Sequence, residues 1–506
     1  MSLKIPSKIA FFILLSFNFF VMSYFALRGE LDFHSDIARD FLLLNEIEEK
    51  KIVLIGGSTS AAGVFHGPLW LYLNFPAYYF GNGNPVVVEW FLIFLVAVFT
   101  YINFHVAKSL FGKTTAYFFV IFLSSFLIPW GRALNHPEAA LLLTPSFFYT
   151  FWQYIKTFKI KYLCFHILIA GIIIQLEIAF GIPFFLLSSI FLIYTLISKR
   201  KLNHSLAFFL LLIPLSTYIL FDLRHDFFQL KNLIKYLEGE PGQTHPHLVE
   251  ILKNRADYVS TIGSLVPQVK IINTASSLLF LLLIVKSVKK SKNKRIYLIF
   301  LYFLMGYFFL TLFSNHILLA HQVIPFVPIA MITFLSLAKS NFKKIVIPLI
   351  IVMIIINTIA NIKILREAKH TIDSQQNSWK IMSTLANDVF KNPESEFGYF
   401  IYSPDKLSYV PKYAMVWATK NHPEKNAHYF TKKPITYVVS APAPINDPYA
   451  KYFTNDFWII NSIKITKKPV SETIFASGYS IRRYELSDEE IAIPFDKYED
   501  TGIHFR

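Results

Sequence analysis

Apolar runs about as long as a bilayer core is thick alternate with short polar breaks over residues 1–362. The runs lie near 9–28, 85–105, 114–131, 138–155, 162–180, 181–198, 205–222, 270–285, 296–313, 317–338 and 345–362. As helices they predict an α-helical polytopic membrane protein with eleven transmembrane spans. The stretch 162–198 is divided at Gly181 and Pro183, because a single span there would invert the charge pattern of every later loop.

Two longer polar breaks carry their own periodicity. In the first outer loop, 29–84, the front part reads as an amphipathic helix capped by Ser35, with Ile37, Phe41, Leu44 and Ile47 on one face. Asp36 and Asp40, four apart with Arg39 between them, enter its first turns, where the helix dipole favours ionised carboxylates. The back part, Phe65–Phe80, is aromatic but broken by Pro68 and Pro76, so it suits the membrane interface better than a span. In the second large outer loop, 223–269, Phe228, Leu230, Leu233, Ile234 and Leu237 mark an amphipathic helix. A turn at Glu240, Pro241 and Gly242 follows, then a second helix over Leu248–Val259. Such a loop could cover a cleft, or be a solvated helix pair.

Beyond the last run, 363–506 holds 19 Lys and Arg against 17 Asp and Glu. A helix over Gln376–Lys391 and strands over Phe397–Ser403, Ile435–Ser440, Phe457–Thr466 and Ser480–Leu486 predict a small extracytoplasmic α/β domain. It has no Gly-rich phosphate loop, metal-ligand spacing or nucleophile elbow. The chain thus divides into a transmembrane domain, 1–362, and an outer domain, 363–506.

Composition sharpens this picture at two points. The 506 residues are 54% hydrophobic and 16% charged, too apolar for a soluble protein. The formal charge of +16 could suggest nucleic acid, but its placement excludes that partner. Segments 1–8, 106–113, 156–161, 199–204, 286–295 and 339–344 hold 19 Lys and Arg and no Asp or Glu, whereas the opposite short loops hold almost none. By the positive-inside rule the N-terminus is cytoplasmic and the C-terminus outside, in the cytoplasmic (inner) membrane. The first run, flanked by Lys4 and Lys8 with no small-residue cleavage site after it, reads as a retained anchor. The sole cysteine, Cys164, rules out an internal disulfide.

With this topology Glu89, Asn135, His136, Glu138, Glu177, Asp222, His316 and His321 all fall near outer span ends. Span ends are where polar residues cost least, but ionisable groups at membrane depth also line wet cavities. Glu138, Glu177 and His321 are therefore candidate lining residues of an outer cleft. An outer cleft with a helix-borne carboxylate and nearby cations suits transfer from a lipid-linked phosphate. A carboxylate deprotonates the acceptor while cations hold the departing phosphate.

The sequence FHSDIARD, followed by STSAAGVFHGPLWLYL, resembles the first outer loop of bacterial members of the glycosyltransferase C superfamily, in its protein mannosyltransferase and aminoarabinose transferase branch. FDLRHDF at 221–227, NHP at 135–137 and YSPDKLSY at 402–409 are similar to other recurrent features of that branch. The resemblance implies a polyprenyl-phosphate-sugar donor and inverting transfer of a monosaccharide to a protein, lipid or glycan acceptor at the outer face. It also implies roles: Asp36 as catalytic base, Asp40 as supporting acid, and Arg39, His66, Arg224 and His225 as donor-phosphate ligands. His66 stands where better-known relatives place Lys before Pro-Pro-Leu, and Ile37 replaces the commoner Glu after the catalytic Asp. Some superfamily members use a divalent metal, for which His34, Asp36 and Glu177 could be ligands. The competing readings are a transporter or lipid flippase, which would show repeats and polar residues at mid-membrane depth, and a non-catalytic assembly or sensor protein.

Overall fold

In the computed structural model the chain is described over residues 8–238, 247–266, 269–312, 316–368, 377–404, 407–442 and 455–495. Its helices in chain order are α1 (Lys8–Arg28), α2 (Ser35–Lys50), α3 (Leu69–Phe80), α4 (Pro85–Phe111), α5 (Lys113–Leu127), α6 (His136–Thr157), α7 (Ile160–Leu176) and α8 (Ile178–Ser198). There follow α9 (Leu212–Arg224), α10 (Phe228–Glu238), α11 (Leu248–Ile262), α12 (Lys270–Lys290), α13 (Lys294–Leu312), α14 (Val327–Ser336) and α15 (Lys343–Ala368). The C-terminal region adds α16 (Trp379–Phe390), α17 (Tyr409–Asn421), α18 (Asn455–Asn461) and α19 (Asp488–Ala492).

Nine helical stretches among the described residues are long and apolar enough to cross a membrane; in three of them, Lys113–Trp130, Leu202–Arg224 and Ala320–Lys339, 3-10 turns extend α5, α9 and α14. The other two expected spans are α6 and α7. α7 has 17 residues, a rise of only about 26 Å against a hydrocarbon core of about 30 Å. α6 is 22 residues long but carries Glu138, Gln153 and Lys156.

The break between the fifth and sixth runs is not at Gly181 and Pro183, as the sequence predicts, but at Glu177, extended at φ −144° and ψ 94°. Pro183 lies inside α8. Gly181 serves close approach instead: a Cβ there would fall 2.7 Å from the Ile174 Cα on α7.

The chain forms two compact units, each discontinuous in sequence. One comprises Met1–Tyr24, Val53–Leu73 and Phe91–Leu365; the other comprises Phe25–Ile52, Asn74–Trp90 and Arg366–Arg506.

Within the first unit, buried amides act as polar clamps between apolar helices. Asn18 Nδ2 on α1 donates to Ser124 Oγ on α5 at 2.9 Å, and Asn361 Nδ2 on α15 donates to Ser125 Oγ at 3.2 Å. The segment 223–269 forms the two predicted helices, α10 and α11. Its expected turn at Glu240–Gly242 lies outside the described residues, as do Asp405 and Lys406 of YSPDKLSY.

The second unit contains a five-stranded sheet of order β2-β1-β3-β5-β4, with β1 (Glu396–Tyr402), β2 (Asn426–Tyr429), β3 (Ile435–Ser440), β4 (Ser471–Ile474) and β5 (Ser480–Glu485). β1 pairs in parallel with β2 and β3, and β5 is antiparallel to β3 and β4. Six consecutive residues of β1 are buried, as expected for a strand covered on both faces. The strand expected over Phe457–Thr466 is instead α18 and the segment after it. Trp458, Ile459, Ile463 and Ile465 all reach the core from there, and a short apolar run does not distinguish helix from strand.

α2 joins this unit through aromatic packing. The Phe33 ring lies 5.4 Å from Phe41 and 4.9 Å from Trp379, and Phe41 lies 5.1 Å from Tyr413. Backbone bonds lock the same place: Phe33 N donates to Asn377 O at 2.7 Å and Trp379 N to Leu31 O at 2.9 Å. α2 begins at Ser35 itself, so the N-cap is His34, with no side-chain capping bond. Phe33→Ala removes a ring that is 1% exposed and should cost about 3–5 kcal/mol. Its melting temperature, followed by tryptophan fluorescence, should fall clearly; an unchanged melt would contradict this packing.

Candidate functional site

Three ionisable side chains converge in the first unit because three local features fix their backbones. His136 is the first residue of α6. The preceding Asn135 accepts the His136 N–H at 2.8 Å and donates its own N–H to Glu138 Oε2 at 3.0 Å. Such a reciprocal cap sets where the helix starts. Pro137 follows, in the first turn where its missing N–H costs nothing. Glu138 is thereby explained as a capping residue; it lines a separate, mainly apolar cavity of about 200 Å³.

His66 sits on a tight loop. Gly56 N donates to His66 O at 2.7 Å and His66 N to Gly57 O at 2.9 Å, while Gly67 N donates to Gln175 O at 2.9 Å. Gln175 Nε2 in turn donates to Thr217 Oγ1 at 3.0 Å. A Cβ on Gly67 would fall 1.7 Å from Gln175 Oε1. Glycine is therefore what lets the loop lie against the end of α7. Ala61 and Val64 of the loop pack with Ile178 and Tyr218.

Glu177, one residue before α8, completes the group. The His66 and His136 ring centroids are 4.1 Å apart, and His136 Nδ1 lies 3.8 Å from Glu177 Oε2. Among the described residues this is the one set of three whose potential ligand atoms all lie within 4.8 Å of one another. His34 and Asp36 do not belong to it. Glu177 is 1% exposed and His136 8%.

His66 and Glu177 open onto a cavity of about 250 Å³, whose wall also includes Thr59, Tyr236, His316 and His321. His316 stacks on Tyr236 with centroids 4.0 Å apart and bonds its carbonyl at 3.0 Å. Of the three lining residues expected from sequence, Glu177 and His321 face this cavity and Glu138 does not.

Arg224 and His225 are exposed at the end of α9 and are absent from the cavity wall. His225 stacks on Phe221 at 4.3 Å. Within the same FDLRHDF segment, Asp222 caps α10, accepting from Gln229 N at 2.8 Å and Leu230 N at 3.2 Å. The buried cation beside the cavity is one that the sequence does not single out. Arg255, 2% exposed, donates to the Thr311 and His316 carbonyls, each at 2.8 Å. Its signal is its place on the apolar stripe of α11, four residues after Ile251 and seven before Ile262.

In the second unit, Asp36, Arg39 and Asp40 come together on α2 as expected. Arg39 Nη1 meets Asp36 Oδ1 at 3.0 Å and Nη2 meets Asp40 Oδ1 at 3.1 Å. The two carboxylates differ: the Asp36 side chain is 63% exposed and Asp40 8%. An exposed, guanidinium-oriented carboxylate can accept a proton from a hydroxyl, whereas Asp40 holds the guanidinium in place. Burial pushes the Asp40 carboxyl above its ordinary range, opposed by Arg39.

The structure of the whole chain is similar to that of ArnT from Cupriavidus metallidurans bound to undecaprenyl phosphate, with a TM-score of 0.62 and 10% identity over 96% of this chain and 99% of that one. The apo state of the same protein gives 0.59 and 10% over 94% and 98%. No family model and no curated protein sequence matches the chain. At this identity the similarity establishes the fold.

The raised Asp40 pKa has a measurable consequence. A group that binds its proton more tightly when folded contributes stability that is fully present below its unfolded pKa and is lost as pH rises through the folded value. Asp40→Asn cannot titrate. The melting temperature of wild type minus that of the variant should therefore shrink as pH rises above about 4; a difference that grows with pH would contradict this.

Proposed function

We propose that this multi-pass membrane protein, built on the ArnT fold, is a glycosyltransferase that moves a monosaccharide from a polyprenyl-phosphate carrier to an acceptor hydroxyl at the outer face of the cytoplasmic membrane. One observation carries the reading: nearly all of the chain shares the fold of a protein bound to undecaprenyl phosphate. The composition of α2 supports it independently, since a transferase needs an accessible carboxylate and Asp36 is one.

In the reaction we assign, the acceptor oxygen attacks the anomeric carbon as its proton passes to Asp36. The bond from that carbon to the phosphate oxygen breaks with its electron pair leaving on phosphate, so configuration inverts. Arg39, held between two carboxylates, orients Asp36. The phosphate is already a good leaving group, and cations near it matter more than an acid would. We assign His66 to the phosphate at the cavity, and the exposed Arg224 and His225 to first contact with the carrier's charged end.

The test is transfer of radiolabel from polyprenyl-phosphate sugars to a membrane extract by purified protein. Asp36→Asn should lower the rate by ~10²–10⁴-fold without loss of folding, because the side chain is solvent-exposed. Full activity in that variant would remove Asp36 from the chemistry. Movement of the lipid across vesicles with no transfer would favour the flippase reading.

A further inference from the structure

His136 and Glu177 face each other beside the cavity. His136 Nδ1 and Glu177 Oε2 stand 3.8 Å apart, beyond hydrogen-bond range. Glu177 Oε2 is buried and accepts no hydrogen bond from any described residue. A buried carboxylate oxygen in that state is costly unless a cation compensates it. Ligand atoms around a tetrahedral zinc-class ion, with metal–ligand bonds of about 2.0–2.2 Å, lie roughly 3.3 Å apart. The observed separations, 3.8 Å for the pair and none above 4.8 Å in the group, are within a small side-chain adjustment of that spacing.

The geometry points to a divalent metal site of the zinc class at His66, His136 and Glu177, with its open coordination position facing the cavity and available to a phosphate oxygen. Two imidazoles and one carboxylate form a donor set that leaves a fourth position for water or substrate. The fold supplies the rigidity such a site needs: a capped helix start carries His136, a helix break carries Glu177, and a loop pinned to Gln175 carries His66. The cavity provides the entry, since both His66 and Glu177 line it.

The phosphate assignment rests on the transferase reading above; the metal site does not. In that reaction a bound ion would stabilise the negative charge left on the phosphate oxygen as the bond to the anomeric carbon breaks. Two imidazoles and a carboxylate holding a dication would make a strong phosphate site.

The test uses full-length protein without a polyhistidine tag, loaded with zinc, desalted and assayed for metal by mass spectrometry. Wild type should retain about one zinc per chain, and Glu177→Gln and His136→Ala at least about tenfold less. Circular dichroism and monodisperse elution show whether each variant has folded. Wild type with no more zinc than folded variants would overturn the site, while leaving the transfer assay free to succeed or fail by itself. Should neither variant fold, cobalt decides on wild type alone. A visible absorption band typical of four-coordinate cobalt, altered by inorganic phosphate, supports the proposal. No such band overturns the site, and a band insensitive to phosphate overturns the phosphate role.

Discussion

Inside a bundle of apolar helices every backbone polar group must find its partner within the protein, and at the helix break the backbone of Glu177 itself meets that constraint. Its N–H donates to Ile173 O and its carbonyl accepts the Gly181 N–H, each at 2.8 Å, so one extended residue interrupts two helices while the hydrogen-bond ladder continues through it. What the break changes is direction and side-chain placement. The carboxylate is left at the head of α8, and Gly181, one turn on, lets α8 lie closely against Ile174. The Gln175 carbonyl, just before the break, takes the Gly67 N–H and so fixes the loop that carries His66. The cavity wall follows from this single interruption.

The second unit solves a different problem, that of keeping a charged helix next to an aromatic core. Arg39 and Asp40 bury together as an ion pair, because leaving either one unpaired would cost more than the pair returns. Their pairing lets Phe41 and Leu44 pack while Asp36, one turn earlier, stays in solvent. One helix therefore carries two carboxylates with opposite exposures, one suited to holding a cation and one to accepting a proton.

Much of this is legible in the sequence where periodicity is long. The apolar runs, the amphipathic pair α10 and α11, and strands β1, β3 and β5 follow from pattern alone. The acidic helix is also readable, because Asp36, Arg39 and Asp40 are local to each other. Short elements are not: α18 has the apolar run of a strand, and β4, exposed along its whole length, has no burial pattern to read. Pattern misplaces the break at Glu177 because Gly181 and Pro183 are the stronger breakers in sequence, yet both fit inside α8. His66, His136 and Glu177 are 70 and 41 residues apart in succession, and only tertiary packing joins them. Arg224 stands out as a basic residue at a span end, whereas Arg255, inside an amphipathic helix, is buried and bonds the carbonyls of Thr311 and His316 in the cavity wall.

The central claim is that this chain cleaves the bond between a sugar and its polyprenyl phosphate. The most direct measurement is mass spectrometry of the carrier after incubating polyprenyl-phosphate sugar with purified protein and membrane acceptor. The account predicts free polyprenyl monophosphate appearing in step with glycosylated acceptor and only when the protein is present. Carrier that stays fully sugar-linked, in vesicles where the protein is folded and binds the lipid, would contradict it.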